Sequence, residues 1–458
     1  MLQPLILASG LALAAAAPAQ EHDPVLRKLL DDAATASPEL AQARAVVAAE
    51  QARVPQAAAL GDPTLTLGIQ NDGFNRIAIG EMETSFFNIM VSQPVPWPGK
   101  RGVRQQIAAL DVRRAQARLE RARLDLEGRV SRGYVGLLLA RGQLELLEEQ
   151  ERLWAQGEQT ARTRYEAGQV PQSDLLRAQL ERARLEQRRW ALQAEAVTRM
   201  AEVNRLRGHP LDEGVAIPTA LRELANPTLP PEEAAQADAV ARSPEMLLAT
   251  LDVDQAGRRV ELARKERWPD LALTAAVMPR GRLEPMWSFG VSVGLPIFAG
   301  RKQARAVEES EQRRIGDTQE AETIRQVVRL RTHERLALLA ALNRTNDHYR
   351  RQVLVLSVAA ARSTLVQYEV GRVPFASVLE ALSGYVGDRA SSLASLADAQ
   401  LVAIAQRELN LDPMPAIGGG MGGAAMPGSA ASKAPASAQA TTPSAAAAQE
   451  RAPGMKGM

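Results

Sequence analysis

Arg164-Tyr165-Glu166-Ala167-Gly168-Gln169-Val170-Pro171 returns as Gln367-Tyr368-Glu369-Val370-Gly371-Arg372-Val373-Pro374, 203 positions further along the chain. Two further echoes keep the same order. Ser37-Pro38-Glu39-Leu40 returns as Ser243-Pro244-Glu245-Met246, and Asp62-Pro63-Thr64-Leu65 as Trp268-Pro269-Asp270-Leu271, each 206 positions later. Three matches at a nearly constant shift describe a tandem duplication of a unit of about 200 residues, far longer than a solenoid repeat. In each copy the quoted step ends one long helical pattern and starts another. Glycine is the residue expected just past a helix end, and proline can open a helix but cannot continue one.

Working outward from these steps, no proline occurs between Pro98 and Pro171 or between Pro296 and Pro374. Val130, Tyr134, Leu137, Leu144 and Leu147 keep helical spacing, as do Leu354, Val358, Ala361, Leu365 and Tyr368. The spacing predicts helices over 100–165 and 301–368, the first about 100 Å long at 1.5 Å per residue. Return helices are predicted over 171–207 and 374–410. The first carries a 4-3 stripe of Leu176, Leu180, Ala183, Trp190, Ala194, Val197 and Ala201, the second one of Val378, Leu382, Tyr385, Leu396 and Ala399. Such stripes are coiled-coil seams, and core packing is the expectation for their residues.

Ahead of each long helix lie a helical lead-in (24–60 and 232–268) and two short alternating segments. These are predicted strands over 64–70, 84–93, 270–278 and 286–295. Leu65, Leu67 and Ile69 alternate with Thr66 and Gly68, while Trp287, Phe289, Val291, Val293 and Leu295 oppose Ser288, Gly290, Ser292 and Gly294. A period of two with one apolar and one small polar face suits a tilted membrane strand; a soluble hairpin packed on helices is the alternative. Aromatics are scarce, with five Trp, five Tyr and six Phe in 458 residues. Phe74, Phe86, Phe87, Trp97, Trp268, Trp287, Phe289 and Phe298 all lie in or beside these hairpins, as interfacial girdles would.

Composition narrows the function. The absence of cysteine excludes disulfides, thiolate metal sites and a cysteine nucleophile, and with them a lipoprotein anchor. The net charge of +2 includes no basic block suited to nucleic acid. No nucleophile–base pair or phosphate-binding loop is visible, so neither an enzyme nor a cofactor is expected. Residues 1–19 read as a signal peptide ending at Ala17-Pro18-Ala19. No apolar stretch is long enough for a membrane helix, so membrane entry requires a β-barrel. Four strands cannot close one, whereas three copies supply twelve. The resulting expectation is a mainly α protein with a small membrane β part: a long α-helical barrel joined to a trimeric 12-stranded β-barrel. The first repeat covers 20–208, a linker 209–231, the second repeat 232–411, and a disordered Gly/Ala/Pro/Met tail 412–458. The tail residues Met414, Met421, Met426, Met455 and Met458 are candidate thioether ligands for Cu(I) or Ag(I), with ligand-free low-complexity sequence as the alternative.

This layout resembles the TolC-like outer membrane factors over about residues 24–411. Arg164–Gly168 followed by Asp174-Leu175-Leu176 is similar to the family's first periplasmic hairpin tip. Tyr368–Gly371 followed by Val378-Leu379-Glu380-Ala381 is similar to the second. Gln93-Pro94-Val95-Pro96-Trp97-Pro98-Gly99-Lys100-Arg101 looks like the strand-to-helix turn of the heavy-metal efflux branch. The resemblance implies a homotrimeric exit duct in a Gram-negative outer membrane, its helices in the periplasm. It implies a periplasmic adaptor protein docking at Tyr165, Gly168, Tyr368 and Gly371, and a resistance-nodulation-division pump in the inner membrane. It also implies a closed gate at Asp174, Tyr368 and Glu380, with a gating arginine beside Arg372, although Val373 occupies the matching column. Plainer roles stand beside these. Asp174 would favour the helix dipole from the first turn, and Glu380 would be an exposed helix residue. A drug, solvent or type I secretion duct is the alternative within the class, and an exported coiled-coil structural protein the alternative outside it.

Overall fold

The computed structural model describes residues 23–217 and 220–413. The expected signal peptide at residues 1–19 and the candidate ligands Met414, Met421, Met426, Met455 and Met458 lie outside the described residues. Along the first half run helices α1 (Pro24–Ala36) and α2 (Pro38–Ala58), strands β1 (Thr64–Gln70) and β2 (Phe86–Val95), and helices α3 (Lys100–Glu166) and α4 (Gln172–Arg207). The second half repeats the order as α5 (Glu232–Arg242), α6 (Pro244–Lys265), β3 (Leu271–Arg280), β4 (Leu283–Val293), α7 (Gln303–His348), α8 (Leu354–Glu369) and α9 (Phe375–Glu408).

The lead-in segments are helix pairs, where single helices were expected. Ser37 and Ser243 cap α2 and α6, each accepting a backbone N–H three residues on, and a proline follows in each first helical position. A side chain holding the second helix's free donors and a proline that cannot continue the first together force the break. One π turn, Tyr349–Val353, separates α7 from α8, where one unbroken helix over 301–368 was expected. Strand β2 starts at Phe86 because the two residues before it tie down the preceding loop. Ser85 Oγ accepts the Asp72 amide at 2.9 Å, and Thr84 donates to the Asp72 carboxylate at 3.0 Å.

The strands form one antiparallel sheet in the order β1-β2-β3-β4. Its register aligns like with like. Leu67 faces Ile89, Ile89 faces Val277, and Val277 faces Trp287, whereas Gly68 faces Asn88 and Thr274 faces Gly290. The apolar face is open to the surroundings, with Leu67 69% and Phe289 79% exposed. Met90 sits on the small polar face, opposite Thr66 and Ala276.

The sheet is fastened to the helices by the Pro96–Lys100 turn. Gly99 has φ 88°, and a Cβ there would come within 2.9 Å of Lys265 Nζ. Buried Lys100 donates to the Trp268 carbonyl at 2.8 Å and to Asp270 Oδ1 at 2.7 Å. The Trp97 amide donates to the same carboxylate oxygen at 2.8 Å, and the Trp97 ring stacks on Trp268 at 5.2 Å. This motif therefore performs a mechanical task in the chain, locking the end of β2 to the start of β3. Lys100→Ala should leave that carboxylate with only the Trp97 amide and lower the denaturant midpoint. An unchanged midpoint would mean that the stacked tryptophans and the Trp97 amide hold the joint without the lysine.

Helix α3 packs against α2, α4, α6 and α9 and so joins both halves. One core gathers Leu26, Leu29, Val130, Tyr134, Leu138, Val203 and Ile404; a second gathers Trp154, Ala178, Leu185, Tyr368, Phe375, Val378 and Leu382. The α9 stripe is buried as expected at Val378, Leu382, Tyr385 and Ala399. The α4 stripe is not. Leu176, Leu180, Trp190 and Val197 are exposed, Trp190 by 66%. The face of α4 that meets α3 carries Ala178 and Leu185 instead, so the apolar 4-3 stripe is left unpartnered among the described residues.

Candidate functional site: the paired helical turns

Each long hairpin closes through a turn of the same construction. At the first, the Gly168 amide donates to Tyr165 O at 2.9 Å and the Gln169 amide to Arg164 O at 2.8 Å. At the second, Gly371 donates to Tyr368 O at 3.0 Å and Arg372 to Gln367 O at 2.8 Å. This paired-bond pattern satisfies the last helical carbonyls, and it requires a left-handed residue. Gly168 and Gly371 supply it at φ 69° and 77°. Pro171 and Pro374 then start α4 and α9 in extended conformation.

The turns touch through one side chain. Arg164 Nη1 donates to the Tyr368 carbonyl at 2.7 Å, and its guanidinium carbon lies 4.9 Å from the Tyr368 ring centroid. A cation over an aromatic face adds to that charged hydrogen bond. The close approach explains Gly371 a second time, since a Cβ there would lie 3.2 Å from Arg164 Nη2. Tyr368 is 1% exposed and packs edge-on against Phe375 at 5.5 Å, which in turn meets Trp154 at 6.2 Å. Its hydroxyl has no hydrogen-bond partner. Burial pushes its ionisation up, the nearby Asp174 carboxylate pushes it further, and Arg164 pulls it back. It therefore remains neutral at physiological pH.

Above the first turn, Glu158 of α3 accepts from Arg182 of α4 at 2.6 Å, with Arg162 at 3.5 Å. The Arg182 hydrogen bond holds the Glu158 carboxyl below its ordinary value of 4.5. A lowered folded value means that this contribution to stability is complete above that ordinary value and lost as pH falls through the lower one. Protection from hydrogen exchange at the tip, taken relative to the intrinsic rate at each pH, should fall below about pH 4.5, and Glu158→Gln should remove that acid-side step. Persistence of the step in the variant would assign it to another carboxylate.

Of the residues named from the sequence, the structure brings Asp174 and Tyr368 together at the tip. Glu380 and Arg372 are exposed on the second hairpin, and Tyr165, Gly168 and Gly371 are exposed at the turns. Sequence pattern alone assigns Arg164 no role beyond its place in the repeat. Its signal was the mismatch with Gln367, which shows that the two turns are not interchangeable. Among the described residues, no cluster of three or more His, Asp or Glu is arranged to hold a metal ion.

Residues 29–209 match the family described as Outer membrane efflux protein. The alkaline protease secretion protein AprF of Pseudomonas aeruginosa is 26% identical over 223 residues, 47% of this chain and 45% of that protein. The chain thus matches a little under half the length of this curated relative. In fold it is similar to the outer membrane protein VceC of Vibrio cholerae, with TM-score 0.70, 16% identity, and coverage of 86% of this chain and 96% of that one. It is also similar to the open state of the MtrE outer membrane channel of Neisseria gonorrhoeae, with TM-score 0.69, 17% identity, and coverage of 84% and 89%. The fold is that of the TolC-like channels: mainly long helices, joined to a small β part.

Proposed function

We propose that the protein is the outer-membrane exit duct of a tripartite efflux system. It is a homotrimer with no chemistry of its own. Substrates delivered by an inner-membrane pump of the resistance-nodulation-division type, through a periplasmic adaptor docked at the tips, pass outward through it. The observation that carries this reading is the sheet. One of its faces is apolar and exposed apart from Gln93, the other is mostly small or polar around Met90, Met278 and Met286, and among the described residues both edges are unpaired. Unsatisfied edges are not stable in lipid, and a second and third copy remove them. The unpartnered stripe on α4 and the exposed Val355, Leu356 and Val366 on α8 supply matching contact surface along the helices.

The adaptor reads the exposed turns around Tyr165, Gly168 and Gly371; Tyr368, named with them from the sequence, is 1% exposed and supports the second turn from beneath. Asp174 and Glu380 ring the constriction, six carboxylates in a trimer, and favour cations over anions. In planar bilayers Glu380→Ala should weaken cation selectivity. Asp174→Ala and Arg164→Ala should raise conductance by loosening the closed tip. Unchanged conductance and selectivity in the Asp174→Ala/Glu380→Ala double variant would return both residues to the helix surface.

Metal cations are the proposed cargo, supported by the likeness of the Pro96–Lys100 turn to the heavy-metal branch and by the tail methionines. The test is growth in Cu, Ag, Co, Zn or Cd of cells lacking their own duct and supplied with this protein, its pump and its adaptor. Restored growth supports the assignment, and a form lacking residues 413–458 asks whether the methionines take part. Export of organic toxicants without metal tolerance would move the cargo to drugs. Protein export would favour a secretion role, a reading supported by the match to AprF.

A further inference from the structure

Charge is unevenly placed about the sheet. Strand residues 64–70, 86–95, 271–278 and 285–293 carry no charged side chain. At their helix-side end lie four connections, which with one adjoining helical turn each are residues 55–63, 96–103, 262–270 and 294–306. These hold eight Lys and Arg against three Asp and Glu, a net +5 in a chain whose total is +2. The loops at the opposite end, 71–85 and 279–284, hold three cations against four acids. An uncharged band is therefore bounded by a basic collar on one side only. Five of the eight cations are held inside the chain: Lys100 by Asp270, Arg101 by the Ala58 carbonyl, and Arg264, Lys265 and Arg305 by Glu311, Glu261 and Glu308. Arg267, Arg301 and Lys302 are exposed and have no side-chain partner among the described residues.

We infer that this collar is a docking surface for anionic phospholipid headgroups, with Arg267, Arg301 and Lys302 receiving the phosphates. This rests on the membrane duct proposed above, and it selects the lipid on the helix side of the bilayer. The three free cations belong to neighbouring segments. The Gly294 amide donates to the Asp270 carbonyl at 3.3 Å, so residues 266–270 and 294–302 leave the sheet side by side. The same two segments expose Trp268, Leu295, Ile297 and Phe298. Leu295 and Ile297 keep the alternation of Val291 and Val293, which carries the apolar face of the sheet down to the collar. Exposed rings and aliphatic side chains directly beside free cations are what a membrane interface takes up: the apolar groups enter the acyl region and the charges meet phosphate. A zwitterionic headgroup cancels its phosphate with its own ammonium, so excess cations favour lipids of net negative charge. Further copies do not relieve that excess. The three acids already include Asp62, which precedes β1, and each added subunit brings another +5.

The test reads the lipid shell of the full-length protein reconstituted into phosphatidylcholine vesicles that carry a trace of spin-labelled phosphatidylglycerol or spin-labelled phosphatidylcholine. The fraction of each label immobilised by the protein gives the preference. The expected result is a preference for phosphatidylglycerol of about fivefold, as one cation supplies at a headgroup. It should fall to parity in the variant Arg267→Gln/Arg301→Gln/Lys302→Gln. It should also fall in the parent when salt rises from about 0.1 M to about 1 M, which shortens the screening length from about 10 Å to about 3 Å. Arg76→Gln/Arg282→Gln, at the other end of the sheet, should leave it unchanged. Equal immobilisation of both labels by the parent overturns the collar and leaves the duct standing. So does a preference that survives the triple variant or high salt, or one that is lost in Arg76→Gln/Arg282→Gln. Protein that immobilises neither label does not enter the bilayer, and that result overturns the collar together with the duct.

Discussion

In the proposed duct, arginine at Leu67 or Val291 is expected to destabilise the protein by about 2–4 kcal/mol, the cost of a cation on a lipid face near mid-bilayer. Both side chains lie on the open apolar face, Leu67 beside Ile89 and Val291 beside Leu273. Ser292 is adjacent to Val291 in the strand, but it sits on the opposite face beside Ala272. In that duct Ser292→Arg would face a water-filled lumen, where it hydrates, and it should be tolerated far better. Urea titration of protein folded into vesicles measures all three variants against the parent. Equal tolerance at the two faces would overturn the assignment of these segments to the membrane.

The second large effect is expected where the two halves of the chain are tied together. Glu408, near the end of α9, is buried on α3 and accepts from Arg132, while Arg121 donates to its backbone carbonyl at 2.8 Å. Arg121 also reaches Glu245 at 3.2 Å and Asp125 at 2.6 Å, so α3, α6 and α9 share one charged cluster. The carboxylate lies against Gly128, where a Cβ would come within 2.7 Å of its carbon. Removing one partner of a buried charged pair costs about 3–5 kcal/mol. Arg132 can turn towards solvent, which places Glu408→Ala at the lower end, about 3 kcal/mol. Gly128→Ala should act through the same contact by displacing the carboxylate, and Glu408→Gln should lose less. Denaturant midpoints are the readout, and a change under about 0.5 kcal/mol for Glu408→Ala would place the residue among ordinary surface positions.

The elements that short-range patterns control were legible in the sequence. Strand alternation, the Gly-x-Val-Pro turns and the proline-free helices follow from local backbone preference and side-chain period. β1 runs over Thr64–Gln70 as read, and α3 over Lys100–Glu166, one residue beyond the reading. The helix breaks at Ser37 and Ser243 carried a local signal, a capping serine before a proline, which the repeat had already displayed. What stayed hidden depends on neighbours distant in sequence. Arg164 meets Tyr368 across 204 positions, and Glu408 needs Gly128 from the other half. The stripe on α4 shows the limit of periodicity most clearly. A 4-3 pattern states that a helix has an apolar face, but it does not state which helix, or which copy of the chain, covers it.

The most direct measurement of the central claim is conductance across a planar bilayer by the purified protein, with its mass determined in the same detergent. A trimeric duct predicts a particle of three subunits that inserts as discrete, cation-selective steps. A monomer that remains soluble without detergent and leaves the bilayer non-conducting would contradict the account.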